Sequence, residues 1–297
     1  MTAPSVKPSA RRELPTSTVD LPSGPGPHPA IVGLHPASDG SRDHYLFRHL
    51  ALVLPPAGIA VARFDRRGDD VPLEDQVEDT LGVLADLRKD ARIDPRRIGL
   101  WGFSQGAWVA PLVAGRTDVA FLVLVASTGV APAEQMLYGT AKHVRDAGFS
   151  EEDARRVTRA REVVDDYRRG RTGVHAAQAA IDDIKDERFF EHAYLPREAR
   201  DLGPWPDMDF DPVPVFAKVK VPTLLFYGED DEWQPIDASI AAWRRAAAEA
   251  GNPDVTILRL PGTAHAPTRS GREDVDSVDP DYERALIAWL TRVTRSG

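Results

Sequence analysis

Apolar residues follow two rhythms along this chain. Short, nearly unbroken runs at Ala30 to Leu34, Ile59 to Phe64, Arg97 to Trp101, Val119 to Val125, Thr223 to Tyr227 and Val255 to Leu260 read as strands buried on both faces. Between them, Leu73, Val77, Leu81, Leu84 and Leu87 recur every three or four residues and mark one face of a helix over Leu73 to Leu87. Helical spacing also covers Tyr45 to Leu54, Ala107 to Ala114, Ala238 to Ala250 and Tyr282 to Val293. Arg11 to Val19 supplies one or two short leading strands before a turn rich in Pro and Gly, from Pro22 to Pro27. Strands alternating with helices predict an α/β fold with a doubly wound, mostly parallel sheet.

The rhythm breaks after Val130. The next eighty or so residues carry helical signals and no convincing strand. Ser150 with Asp153 three residues later is a capping-box pattern that opens a helix. Val157, Val163, Val164 and Tyr167 form its apolar stripe, and Gly170 suits its end. A second helix is expected over Val174 to Phe190, after which Pro196, Pro204, Pro206, Pro212 and Pro214 mark an irregular return. The expected organisation is a core of residues 1–131 and 211–297 with an inserted helical cap, 132–210.

Composition narrows the partners. Of 297 residues, 42% are hydrophobic and 28% charged, as in a soluble globular chain, and the net charge of -9 disfavours nucleic acid and anionic lipid. The absence of cysteine removes disulfides, thiolate nucleophiles and cysteine-ligated metals. Met1 to Pro8 lacks the pattern of a secretory signal and no apolar run approaches membrane-spanning length, so the expected location is cytoplasmic.

The chemistry gathers where strands end. Arg97 to Trp101 runs into Gly102-Phe103-Ser104-Gln105-Gly106 and then into helical Ala107 to Ala114. In that context a GxSxG turn holds its serine strained and exposed, because the glycines remove Cβ atoms where backbones crowd. A serine hydroxyl becomes nucleophilic only beside a base that a third group orients. Candidates stand at later strand ends: the carboxylates Glu229, Asp230 and Asp231 after Thr223 to Tyr227, and His265 after Val255 to Leu260.

With these segments the chain resembles bacterial α/β-hydrolases of the esterase, dienelactone hydrolase and acyl-peptide-hydrolase-like group over nearly its whole length. Matching stretches are Pro29 to Pro36, Phe64-Asp-Arg-Arg-Gly68, Ile93 to Ile98, Val221 to Leu225 and Gly228 to Pro235. The group's pattern Gly-x-x-Asp-x-x-Val-Pro selects Asp231 over Asp230, with Gln234 where valine is usual. The resemblance implies Ser104 as nucleophile, His265 as base and Asp231 as its orienting acid. It also implies an oxyanion hole made by the backbone N–H groups of Gln105 and Ala37. His35-Pro36 stands where the group has His-Gly, so the loop is stiffer, and Pro36 itself has no N–H to give.

The expected activity is serine hydrolysis of a small or medium acyl ester, thioester or amide. Acyl transfer or cyclisation on the same three residues, and a non-catalytic binding role on the same fold, are the alternatives. A small-molecule acyl substrate is the expected partner, with no cofactor and no metal. His28, His44, His49, His143, His175 and His192 fall in no metal-ligand spacing and read as surface or capping residues. Arg66 and Arg67 read as a solvated loop beside Asp69 and Asp70. Trp205, Met208, Phe210 and Trp233 suit either an acyl pocket or the burial of cap against core. Ligands of an open α/β sheet lie beyond the carboxyl ends of its strands, so the helical segment is expected over Ser104 as a lid. A peripheral decoration or a homodimer contact is the alternative for that segment.

Overall fold

The computed structural model describes residues 17–68, 71–269 and 271–295. Among them, strands β1 Ser17–Asp20, β2 His28–Leu34, β3 Ala60–Phe64, β4 Ile93–Phe103, β5 Leu122–Val125, β6 Thr223–Gly228 and β7 Val255–Leu260 form one sheet in the order β1-β3-β2-β4-β5-β6-β7. β1 is antiparallel to β3 and the remaining pairings are parallel. The expected leading strand is β1; Arg11 to Thr16 lie outside the described residues. Helices are α1 Tyr45–Val53, α2 Leu73–Leu87, α3 Gly106–Ala114, α4 Pro132–Asp146, α5 Glu151–Arg168, α6 Val174–Asp182, α7 Val213–Phe216, α8 Ile236–Ala250 and α9 Pro280–Arg295.

Period-two alternation sends each strand's apolar residues to two separate cores. Ile31, Trp101, Val123 and Phe226 pack with Phe47 of α1 and with Tyr282 and Leu286 of α9. Val32, Leu100, Leu124 and Leu225 point the other way, onto α2, α3 and Trp243 of α8. Burying each of these side chains contributes about 2 kcal/mol, so the central strands are fixed from both faces. The sheet is therefore doubly wound and mostly parallel. β4 starts at Ile93, four residues before the expected Arg97. Ile93 pairs with His28, and the register then shifts, so that Ile98 pairs with Ala30 and the residues between are taken up as an irregularity.

The segment between β5 and β6 has apolar clusters of its own. Val144, Val157, Ile184 and Phe189 form one, and Val164, Ala177, Ile181 and Ala199 another. Ser150 caps α5 with both bonds of a capping box: its hydroxyl accepts from Asp153 N–H at 3.2 Å, and the Asp153 carboxylate accepts from Ser150 N–H at 3.0 Å. The helix expected to reach Phe190 stops at Asp182, and a 3-10 turn occupies Arg188–His192. Asp182 and Asp183 at the end of α6 oppose its dipole. No helix among the described residues is long and apolar enough to cross a membrane.

Candidate active site

Ser104 sits at the carboxyl end of β4 with φ of 52°, a left-handed conformation that costs a non-glycine residue about 1–3 kcal/mol. The turn is tied to the next strand, where Val125 carbonyl accepts from Ser104 N–H at 3.0 Å. Only glycine fits on either side. A Cβ on Gly102 would lie 2.3 Å from the Gly106 carbonyl oxygen, and one on Gly106 would lie 2.4 Å from that of Leu34. These contacts press the start of α3 against the loop that leaves β2.

The loops after β6 and β7 are laced together by two backbone bonds, from Glu229 N–H to Leu260 carbonyl at 3.1 Å and from Asp230 N–H to Thr263 carbonyl at 3.0 Å. The lacing brings His265 between Asp231 and Ser104. His265 Nε2 lies 2.9 Å from Ser104 Oγ, and its Nδ1 lies 3.1 and 3.0 Å from the two carboxylate oxygens of Asp231. Of the three crowded carboxylates, Asp231 is the one turned inward, at 1% exposure. Glu229 instead faces Arg259 at 3.3 Å, and Asp230 is exposed.

Burial opposes charge on Asp231, but the charge and hydrogen bond of His265, the Gln234 amide and the Trp233 N–H outweigh it and hold the carboxyl below its usual range. Burial likewise pushes the His265 imidazole down, and the Asp231 carboxylate beside it prevails and holds it above its ordinary 6.5. Gln234, the departure from the group's valine, has a specific contact. Its side-chain N–H donates to Asp231 Oδ2 at 2.6 Å, while its carbonyl oxygen accepts from the Thr128 hydroxyl at 3.1 Å.

The two candidate oxyanion donors stand on one clamp. Arg66 donates from Nη1 to Pro36 carbonyl at 2.7 Å and to the Gln105 side-chain oxygen at 3.3 Å, and from Nη2 to Ala37 carbonyl at 2.9 Å. Gln76 adds a second donor to the Gln105 side chain at 2.9 Å. Among the described residues, neither the Ala37 nor the Gln105 backbone N–H donates to a protein acceptor. The reading of Arg66 and Arg67 as a solvated loop is corrected here. Arg66 is buried beneath the loop after β2, and Arg67 pairs with the buried Asp79 of α2. Asp69 and Asp70 lie outside the described residues.

His35 donates from Nε2 to Phe64 carbonyl at 2.7 Å, and burial is the main cause that pushes its pKa down to about 4, so it is neutral scaffolding for this loop. His44 accepts from Leu46 N–H as a cap, as expected, but is buried, and so is His49 against Glu283. Sequence reasoning passed over Gln76 and Thr128. A signal existed for Gln76, a polar residue next to Val77 on the apolar face of α2.

Ser104 and His265 open into a cavity of ≈ 400 Å³, whose other walls include Pro132, Met136, Trp205 and Trp233. Trp233 follows Asp231 by two residues and stacks edge-on with His143 and Tyr194, at ring separations of 4.5 and 4.6 Å. Of the four large apolar residues whose role was open, Trp205 and Trp233 line this cavity, whereas Met208 is buried and Phe210 packs on Trp108. A hydroxyl, an imidazole and a carboxylate in line, beside two undirected N–H groups, are the parts needed for addition to a carbonyl.

Comparison with known proteins agrees with this architecture. The esterase EstD of Thermotoga maritima is 27% identical over 145 residues, covering 44% of this chain and 34% of that protein, so the chain matches about a third of its curated relative's length. The structure of proline iminopeptidase from Mycobacterium smegmatis superposes with a TM-score of 0.60 at 17% identity, over 94% of this chain and 95% of that one. The monoacylglycerol lipase of Paleococcus ferrophilus gives a TM-score of 0.54 at 16% identity, over 95% and 100%. At such identities these structures speak to the fold alone. The model of the family described as "Alpha/beta hydrolase family" matches residues 31–277, most of the chain, and the chain belongs to that family.

Proposed function

We propose that the protein is a serine hydrolase acting on a carboxylic ester, thioester or amide of small or medium acyl size through an acyl-Ser104 intermediate. The observation that carries this reading is the continuous hydrogen-bonded line from Asp231 through His265 to Ser104 Oγ, opening into a cavity with apolar walls. In the first step Ser104 Oγ bonds to the substrate carbonyl carbon and its proton passes to His265 Nε2. The carbonyl oxygen becomes an anion, which the Gln105 and Ala37 N–H groups stabilise. Collapse breaks the bond to the leaving group, which takes the proton from His265. Water then adds to the acyl-serine by the same route in reverse, giving the carboxylic acid and free Ser104.

In this reading residues 132–210 are a cap that shapes the acyl site, while residues 1–131 and 211–297 hold the reacting groups. The name of the Thermotoga esterase supports ester chemistry. A fluorophosphonate probe tests the proposal. Labelling is expected at Ser104, and Ser104→Ala is expected to abolish it and to lower ester turnover by on the order of a million-fold with the fold intact. Labelling at a different serine contradicts the assignment.

A further inference from the structure

Behind the wall of the proposed catalytic cavity lies a second chamber of ≈ 310 Å³. Ala37, Gln105, Met136 and Trp205 line both spaces, so the partition between them includes the two residues of the proposed oxyanion hole. The chamber's far wall is α5. Arg161, Val164 and Arg168, spaced three and four residues apart on one helix face, all line it.

Arg161 is unusual among the arginines of this chain. It is 3% exposed, and the carboxylate whose charge acts on it is Asp165, one turn along α5. Nη2 donates to the carbonyls of Ala193 and Tyr194 at 3.0 and 2.6 Å, and Nε is buried with no partner. Arg168 holds its guanidinium 4.9 Å from the centre of the Trp205 ring and donates from Nε to Gly203 carbonyl at 3.1 Å. Among the described residues the acidic one lining the chamber is Asp207, whose Oδ2 accepts from Leu73 N–H at 2.9 Å. Asp165, one turn beyond Arg161, is buried with both oxygens unpartnered and lies outside the chamber's lining. It acts on Arg161 through its charge alone, with no hydrogen bond between them, and burial raises its pKa against the pull of Arg161.

Holding two backbone carbonyls requires only neutral donors, whereas burying a guanidinium carries a large desolvation cost unless an anion shares the site. We propose that this chamber is a recognition subsite for a carboxylate at the end of the substrate remote from the reacting carbonyl, with Arg161 as its principal partner and Arg168 as the second. A guanidinium fork suits a carboxylate's two oxygens. The substrate class is then a monoester, thioester or amide that keeps a free carboxylate several bonds from the cleaved one, long enough to pass Trp205. This inference rests on the proposed reaction at Ser104.

The test compares specificity constants for two ester series of graded length, one ending in carboxylate and the other in methyl. The charge is placed in the acyl arm in one set and in the alcohol arm in a second. The wild-type protein is expected to favour carboxylate over methyl by about tenfold or more at one length in one arm, the scale of a single well-formed charged contact. Arg161→Met should remove that preference while leaving a short neutral ester within about twofold of wild type. Gly203→Asp supplies a second route that leaves Arg161 in place, because Gly203 lines the chamber with open space around it and the new anion competes for the same cations. It too should erase the preference. Wild-type ratios near one in both arms, or a preference that survives Gly203→Asp and a folded Arg161→Met, overturn the subsite. A wild-type protein that fails to turn over even the short neutral esters overturns the reading of the active site, and the subsite with it.

Discussion

The sheet core and the helical segment between β5 and β6 are built to different standards of rigidity. Ser104 and Asp231 leave the ends of β4 and β6, strands held by neighbours and by apolar helices on both faces, and His265 leaves the half-buried edge strand β7, paired with β6. The helical segment rests on two small clusters of its own and meets the core through contacts such as the bond from Leu73 N–H to Asp207 Oδ2 at 2.9 Å and the packing of His143 and Tyr194 on Trp233. Groups that must stay within tenths of an ångström stand on the rigid part. On the proposed reading, walls that need only match a substrate's shape and charge stand on the helical segment.

Substitutions on the two sides should therefore fail differently. The largest effect in this comparison is expected from Asp231→Asn, which lets the imidazole adopt the wrong tautomer and should lower turnover by roughly ten-thousand-fold, whereas Asp230→Asn should cost little. Turnover numbers for both variants check this, and the reverse ranking places the acid one residue earlier. Arg66→Met keeps the three aligned groups but loosens the clamp on Pro36, Ala37 and Gln105. We expect kcat to fall by about ten- to a hundred-fold with KM nearly unchanged, somewhat less than the loss of a whole oxyanion donor. An unchanged kcat in a folded variant would detach Arg66 from the oxyanion loop.

On the looser side, Trp205→Ala should alter selectivity before it alters chemistry. The ratio of specificity constants for long and short acyl esters is expected to move by about tenfold, in line with the worth of one or two methylenes in an apolar pocket. Turnover of an acetyl ester should stay within about twofold of wild type. A ratio fixed at the parental value would mean that the helical segment is no lid.

The smallest effect is in pH. His265 must be neutral to accept the Ser104 proton, and Asp231 raises its pKa above 6.5. Less than half of the enzyme is then in the active form at pH 6.5, so the acid limb of kcat/KM should have its midpoint above that value. Asp231→Asn should move the limb downward, because the field that raised it is gone. A wild-type midpoint at or below 6.5 would contradict this electrostatic picture.

What the sequence made legible follows the same division. Strands buried on both faces announce themselves as apolar runs, and those runs bracket the elbow at Ser104 and the loops of Asp231 and His265. The start of β4 was hidden, because Asp94, Pro95 and Arg96 interrupt the apolar run while the backbone continues through a register shift against β2. The early end of α6 depends on the acidic residues that close it, which apolar spacing does not weigh. Gln234 was visible as a departure from a pattern, but its partner Thr128 lies 106 positions away. Arg66 drew attention to its sequence neighbours Asp69 and Asp70, when the groups that bury and bind it belong to the loop after β2 and to Gln105.

The central claim, that Ser104 carries the acyl group on a rigid core, is tested most directly by intact-mass analysis of protein quenched during turnover of an activated acetyl ester. A species heavier by one acetyl group is expected, mapped to the peptide containing Ser104 and absent from Ser104→Ala. Steady turnover with no adduct, or an adduct mapped to another residue, would contradict it.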